Sequence, residues 1–231
     1  MSKLSQNYLN KINKILNKIL KEEEHKILEC AKLIYDSYKK GGQLYIFGTG
    51  HSRLLGEEAF HRAGGFAAAC PIRDDNLTFK KGATKATSLE RTPNIARKAL
   101  QKYKITKKDV LMVVSNSGVN HAPVEAAMIA KERGIKSIAL TSIKYSKKAP
   151  LSKLKKKLYE LVDIFIDNKI PPGDTIIKIN KFSVGPASTI TGSFILNLIR
   201  IEVASMLNTE KIFPLYISSN MPNANINNNK L

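Results

Sequence analysis

Three short segments of the 231-residue chain place hydroxyl or amide side chains beside a glycine or at the end of an apolar run. Such groups can hold an oxyanion without a permanent cation. The first is Gly48-Thr49-Gly50-His51-Ser52. Its glycines let the backbone approach an anion closely, and a hydroxyl with free N–H groups at a helix start can hold phosphate. A dinucleotide-binding loop would need a third glycine at position 53, where Arg53 stands, and a P-loop would end in Gly-Lys-Ser/Thr. The second is Ser115-Asn116-Ser117-Gly118-Val119-Asn120. Asn120 can cap the helix that follows, and Pro123 suits its first turn. Capping alone does not require both serines. The third is Thr141-Ser142. Singly, each also reads as an ordinary strand-to-helix turn. At the ends of separate strands, they would form one anion cradle.

Acids and bases lie nearby. His51 can donate to a bound phosphate or serve only as a cap. Glu57 and His61 stand four apart, as do Glu58 and Arg62, so each pair shares a helix face. One pair can look into a crevice, or all four can form a solvated, salt-bridged surface. Asp174, after Pro171-Pro172-Gly173, either lines a pocket or orders its loop. His25, His51, His61 and His121 lack ligand-like spacing, so no metal is expected. Cys30 and Cys70 read as core thiols rather than a disulfide or a redox pair.

These loops need strands to position them. Apolar runs at 44–47, 66–71, 110–114, 137–140 and 161–166 predict five strands. They alternate with helices predicted near 53–63, 87–103 (bent or broken by Pro93), 121–133 and 186–208. This alternation predicts an α/β sandwich of three layers, αβα, around a five-stranded parallel sheet, with ligands bound at the carboxyl ends of the strands. Residues 1–42 read as an N-terminal helical arm. Leu9, Ile12, Ile15, Leu16, Ile19 and Leu20 recur at helical spacing, as do Ile27, Ala31 and Ile34, a break is expected between Lys21 and His25, and Gly41-Gly42 forms the stop. Residues 43–210 form the sheet domain. Residues 211–231 form an extension, partly disordered by the composition of Asn223–Lys230.

Composition excludes several classes. No run of about 18 apolar residues suggests a membrane span, and residues 1–17 lack a secretory pattern, so a soluble, cytoplasmic chain is expected. The formal charge is +19. Lysine dominates over arginine, and no aromatic-basic interleaving occurs, so nucleic acid is not expected as the main partner. The positive field would still steer an anionic substrate.

The segment Ser115-Asn116-Ser117-Gly118, followed by Glu125, an Ala-rich helix, Gly134 and Ile138-Ala139-Leu140-Thr141-Ser142, resembles the signature of sugar isomerase (SIS) domains. Gly50-His51-Ser52, Arg62-Ala63-Gly64-Gly65, Leu89-Glu90-Arg91, Pro171-Pro172-Gly173-Asp174 and Val184-Gly185-Pro186 extend the likeness to a branch of bacterial single-SIS-domain proteins. The chain departs from that branch in its tail, at Pro222-Asn223-Ala224-Asn225, and Asn120 stands where many SIS loops have threonine. The resemblance implies phosphate binding by Ser52, Ser115, Ser117 and Ser142, with backbone help from Gly50 and Gly118 and second contacts from Asn116 and Asn120. Ser183, Ser188 and Thr189 precede or start the helix predicted at 186–208 and can bind sugar hydroxyls, and Asp174 is a further candidate sugar contact.

SIS domains isomerise sugar phosphates, cleave amino-sugar ethers or sense sugar phosphates. The first two need a base and an acid near a carbonyl or hemiacetal carbon, and no cofactor. Glu90 is the first candidate base, because it lies where etherases place one catalytic glutamate. It can also be a surface carboxylate paired with Arg91 or Lys85. Glu57, His61 and His51 follow. The etherases' other glutamate corresponds to Arg62, which disfavours that reading. The resemblance thus implies a cofactor-free phosphosugar isomerase, with an etherase or deaminase, or a non-catalytic sensor, as alternatives. A homodimer or homotetramer is expected, because the apolar arm needs a cover.

Overall fold

The computed structural model describes residues 2–208 and 213–231. Five strands, β1 (Leu44–Gly48), β2 (Ala69–Pro71), β3 (Val110–Val114), β4 (Lys136–Thr141) and β5 (Ile164–Asp167), form an all-parallel sheet of order β2-β1-β3-β4-β5. Leu44 pairs with Val110 and Gly48 with Val114, while Val114 pairs with Leu140 and Thr141 with Asp167. The strand ends therefore lie along one edge. Strand order reverses between β1 and β3, which opens the crevice where parallel sheets bind ligands.

Burial on both faces explains the uninterrupted apolar strands. Successive side chains point to opposite sides. Ile46, Met112, Ile138 and Ile166 pack on one face against Ala31 and Ile34 of α2 (Glu24–Lys39) and Ile195 and Ile199 of α8 (Ser188–Met206). Phe47, Leu111, Val113 and Ala139 pack on the other against Ala96 and Ala99 of α5 (Ile95–Leu100) and Ala122, Ala126 and Ala130 of α6 (His121–Glu132). Alanine on α6 lets that helix lie close to the sheet. Truncating Met112, fully buried, would cost about 2–5 kcal/mol. Cys30 lies in this core as a free thiol, and burial pushes its pKa up.

The arm consists of α1 (Lys3–Glu22) and α2. The predicted break falls at Glu23, whose buried carboxylate accepts hydrogen bonds from Lys169 Nζ and, at 3.1 Å, from Asp167 N. That pins the junction to the end of β5. Ile12 of α1 packs on Ile170 and Ala187. Tyr8 Oη donates to Pro186 O at 2.9 Å and Lys11 Nζ to Ile176 O at 2.7 Å. No helix among the described residues is long and apolar enough to cross a membrane.

Several elements differ from expectation. A hairpin, β6 (Thr175–Ile179) and β7 (Phe182–Pro186), precedes α8 and occupies Pro186, where the sequence predicts helix. The helix after β1, α3 (Leu54–Ala59), stops early, because Phe60 turns to extended backbone and His61 takes φ +38°. Residues 87–103 divide into α4 (Ala83–Leu89) and α5, parted at Pro93 and a left-handed Asn94. Glu125 caps the start of α5, accepting from Asn94 N at 2.8 Å and Ala96 N at 2.9 Å. The second strand begins at Ala69 rather than Phe66, which instead bridges Leu215. The fifth begins at Ile164, because Leu158–Glu160 forms a 3-10 turn.

Two short helices complete the set, α7 (Ile143–Lys148) and α9 (Ala224–Asn228). α9 lies within the segment whose composition suggests disorder. Asn227 Nδ2 donates to Leu215 O at 3.1 Å, and the Asn228 side chain accepts from Ile217 N and donates to Ile217 O, both at 2.9 Å. These asparagines have specific distant partners, which composition does not reveal. The expected domain boundary at 210/211 lies outside the described residues.

Candidate functional site

A cavity of about 410 Å³ opens at the switch point of strand order. Its first wall is the turn after β1, with Thr49, Gly50, His51 and Ser52. A Cβ at Gly48 would stand 2.7 Å from Arg53 N, so only glycine lets the turn fold back onto the strand end. The second wall is the turn after β3, with Ser115, Asn116, Ser117 and Asn120. Gly118 makes this turn with φ +59°, and a Cβ there would come within 2.8 Å of Thr141 Oγ1. Glu90, just past the end of α4, closes one side. Asp174, Ser188 and Thr189 close another, with Tyr145 of α7.

Hydrogen bonds fix the second turn from below. Asn116 O accepts from Ser142 N at 3.0 Å, and Asn116 Oδ1 accepts from Asn168 Nδ2 at 2.8 Å. Asn168 is fully buried, so it holds the Asn116 amide with Nδ2 free to donate. Ser115 Oγ accepts from Gly118 N at 3.2 Å. The hydroxyls of Ser52 and Ser117 have no hydrogen-bond partner among the described residues. The cavity thus presents the uncommitted hydroxyls of Ser52 and Ser117 and the Asn116 amide donor.

Glu90 ties the walls together. Thr49 Oγ1 donates to Glu90 Oε2 at 2.8 Å and Asn120 Nδ2 to Oε1 at 2.6 Å, while Ala122 N donates to Glu90 O at 2.9 Å. Each carboxylate oxygen accepts one of these side-chain bonds and keeps further acceptor capacity. His51 packs on Phe79 with ring centroids 4.8 Å apart. Among the described residues that line the cavity there is no lysine or arginine, and the acidic ones are Glu90 and Asp174.

The structure brings Gly50, His51, Ser52, Glu90, Ser115, Asn116, Ser117, Asn120, Asp174, Ser188 and Thr189 to this cavity. It separates or recommits others. Ser142 is fully buried below the cradle. Its Oγ donates to Ile170 O at 2.7 Å and accepts from Tyr145 N at 3.1 Å, capping α7. Gly118 is buried, and its N–H already serves Ser115. Glu57 faces a different cavity and is held by Arg73, with Nη2 to Oε2 at 2.7 Å. That hydrogen bond, against an opposing effect of burial and with help from the charges of Arg73 and Arg53, holds the Glu57 carboxyl below its ordinary range, which makes it a weaker base. His61 lies beyond the end of α3 and packs on Tyr216 at 4.6 Å, so it shares no helix face with Glu57.

Asp174 reaches the cavity, but its carboxylate is spent on the start of α8. It accepts from Ser188 N at 2.8 Å, Ala187 N at 3.0 Å and Ser188 Oγ at 2.5 Å. The Asn120 amide goes to Glu90 rather than standing free for an anion. Sequence reasoning missed Thr49, Phe79, Thr87 and Tyr145 as lining residues. Thr49 lies inside the recognised loop, so its hydroxyl was the readable signal.

The SIS domain family model matches residues 7–142. This chain belongs to the SIS-domain family. Among its relatives, a UPF0309 protein of Brucella canis is 38% identical over 224 residues, covering 96% of this chain and 92% of the relative. Solved SIS-type structures share the fold at low identity. A phosphoheptose isomerase from Neisseria gonorrhoeae is 14% identical with a TM-score of 0.57, over 89% of this chain and 97% of that one. The Vibrio vulnificus NanR protein complexed with ManNAc-6P is 16% identical with a TM-score of 0.56, over 91% of this chain and 64% of that one. The five-stranded parallel sheet with helices on both faces is the SIS-type arrangement.

Proposed function

We propose that the switch-point cavity binds the phosphate of a small aldose or amino-sugar phosphate, and that Glu90 moves a proton in cofactor-free isomerisation of that sugar. The observation that carries the reading is convergence. Ser52, Ser117 and the Asn116 amide line one cavity at the mouths of two strands, with a carboxylate across from them. Hydroxyls, an amide and nearby backbone N–H groups suit an oxyanion. Its volume falls within the range of about 300–1,000 Å³ common to small-molecule sites. The fold shared with a phosphoheptose isomerase and with the NanR protein complexed with ManNAc-6P supports the same ligand class.

In this reading, Glu90 takes a proton from the carbon beside the open-chain carbonyl and delivers it to the former carbonyl carbon. The hydroxyl proton of the first carbon passes to the carbonyl oxygen, so the carbonyl moves by one carbon with no net change in protons. Thr49 and Asn120 hold the carboxylate in place during the transfer. One observation favours a sensor as the second reading. Both Glu90 oxygens already brace the two loops, as a purely structural strut would. The chain also exposes Ile179, Phe182 and Val184 on the hairpin and Leu4 and Leu9 on α1, which supports self-association. Sedimentation should then give a mass above 25.7 kDa.

The test of ligand class is a thermal-shift panel of sugar phosphates beside their unphosphorylated forms. Stabilisation confined to the phosphorylated members supports the reading, at about 2.7 kcal/mol for ligand at 100 times its Kd. Equal response to both forms, or to neither, rejects it.

A further inference from the structure

The cavity poses a charge problem. A sugar phosphate is an anion, yet the described lining holds two carboxylates and neither lysine nor arginine. Compensating charge must come from outside the wall. One segment stands out. Between residues 144 and 157 the sequence has seven lysines, no acidic residue and no arginine. Six of the seven, Lys144, Lys147, Lys148, Lys153, Lys155 and Lys156, are exposed. None of the seven ammonium groups is paired with a carboxylate among the described residues. Some lysines elsewhere are neutralised locally, as in Lys102 with Asp74 and Lys136 with Asp163, both at 2.6 Å, but no other stretch of this length carries so many lysines without an acidic residue.

Both ends of this segment are fastened to the cavity. It starts on α7, whose Tyr145 lines the wall. It ends at Leu158, fully buried, whose N–H donates at 2.8 Å to Gly118 O in the turn that carries Ser115, Asn116 and Ser117. The lysines between these anchors form an arch beside the cradle.

We propose that the lysine arch 144–157 is the capture surface for the anionic ligand of this cavity, supplying by long-range attraction the positive charge that the wall lacks. This rests on the sugar-phosphate reading given above. Uncompensated charge of one sign beside a cleft raises the local concentration of the opposite ion and speeds its arrival by about 10–10³-fold at low salt. A nucleic acid is the less suitable partner. The arch has no arginine for bidentate contacts, and its one aromatic residue, Tyr145, faces the cavity, which leaves no stacking platform.

The experiment compares two variants of equal charge change in the full chain. In the first, Lys147, Lys148, Lys153, Lys155 and Lys156 become Gln. In the second, Lys98, Lys104, Lys107, Lys108 and Lys131, exposed near the amino edge of the sheet, become Gln. Calorimetry measures affinity for glucose 6-phosphate, fructose 6-phosphate and glucosamine 6-phosphate, with circular dichroism confirming folding. The arch variant should lose about ten-fold in affinity at low ionic strength, the control less than two-fold, and the difference should vanish near 1 M salt, where the screening length is about 3 Å.

Equal losses in both variants, or none in the arch variant, overturn the proposal. So does an arch variant that loses affinity for duplex DNA alone. A wild-type chain that binds none of the sugar phosphates at any salt removes the underlying reading instead, and is seen before either variant is made.

Discussion

Glu90→Gln tests the brace and the chemistry at one position. The carboxylate receives Thr49 Oγ1 at 2.8 Å and Asn120 Nδ2 at 2.6 Å. Hydrogen bonds to a charged group contribute about 1.5–3 kcal/mol each when desolvated. Glu90 and Asn120 are only half-buried, so water replaces part of what is lost. The glutamine keeps one acceptor oxygen and turns an N–H₂ toward the other donor. The expected loss is therefore about one charge-assisted bond, discounted, or roughly 1–2 kcal/mol. For a chain of this size that lowers Tm by about 2–8 °C.

The chemical effect is larger. Removing a positioned base costs about 10²–10⁴ in rate. The assay is deuterium incorporation from D₂O at the carbons flanking the carbonyl, followed by NMR on a sugar-phosphate panel. It detects proton removal even when little product accumulates. The variant should exchange at least about 100-fold more slowly, with affinity for the sugar phosphate held within two-fold. An unchanged Tm would show that Glu90 does not brace the loops. Exchange at the wild-type rate would show that it is not the base, and exchange by neither protein on any substrate would favour the sensor.

Two further outcomes separate structural from binding roles. Ser142→Ala leaves Ile170 O without its buried donor and should destabilise the chain by about 1–3 kcal/mol in urea unfolding, with sugar-phosphate affinity unchanged; a selective loss of affinity would restore Ser142 to the cradle. Arg73→Ala should return the Glu57 carboxyl to its ordinary range, read by NMR titration of the carboxyl carbon. The folded-state pKa of Glu57 is depressed, so its ion pairs contribute stability above about pH 4.3 that is lost as pH falls through the folded value. An unshifted midpoint in the variant would refute that assignment.

The residues that could be read correctly from sequence are those whose role is set within a few positions. β1 and β3 are apolar runs that end in glycine- and serine-bearing turns, and their loops indeed form facing walls. Ser142 shows the limit. A serine directly after a strand can point into the crevice or cap the next helix, and the neighbouring residues do not decide. The carbonyl of Ile170, 28 residues away, does. Asn120 is similar, since Glu90 claims its amide across 30 residues. The hairpin at 175–186 was hidden because its Asn180-Lys181 turn lacks the expected glycine and its second strand runs into an apolar helix. His61 departs from its expected place because the helix ends at Ala59, before the face it would share with Glu57 is completed.

The central claim concerns where the anion sits, and a crystal of the protein grown with a bound sugar phosphate tests it most directly. The account predicts the phosphoryl group within hydrogen-bonding distance of Ser52 Oγ, Ser117 Oγ and the Asn116 amide, with the sugar extending toward Glu90. A phosphoryl group found instead against Arg53 and Arg73, in the neighbouring cavity of about 480 Å³, would contradict it.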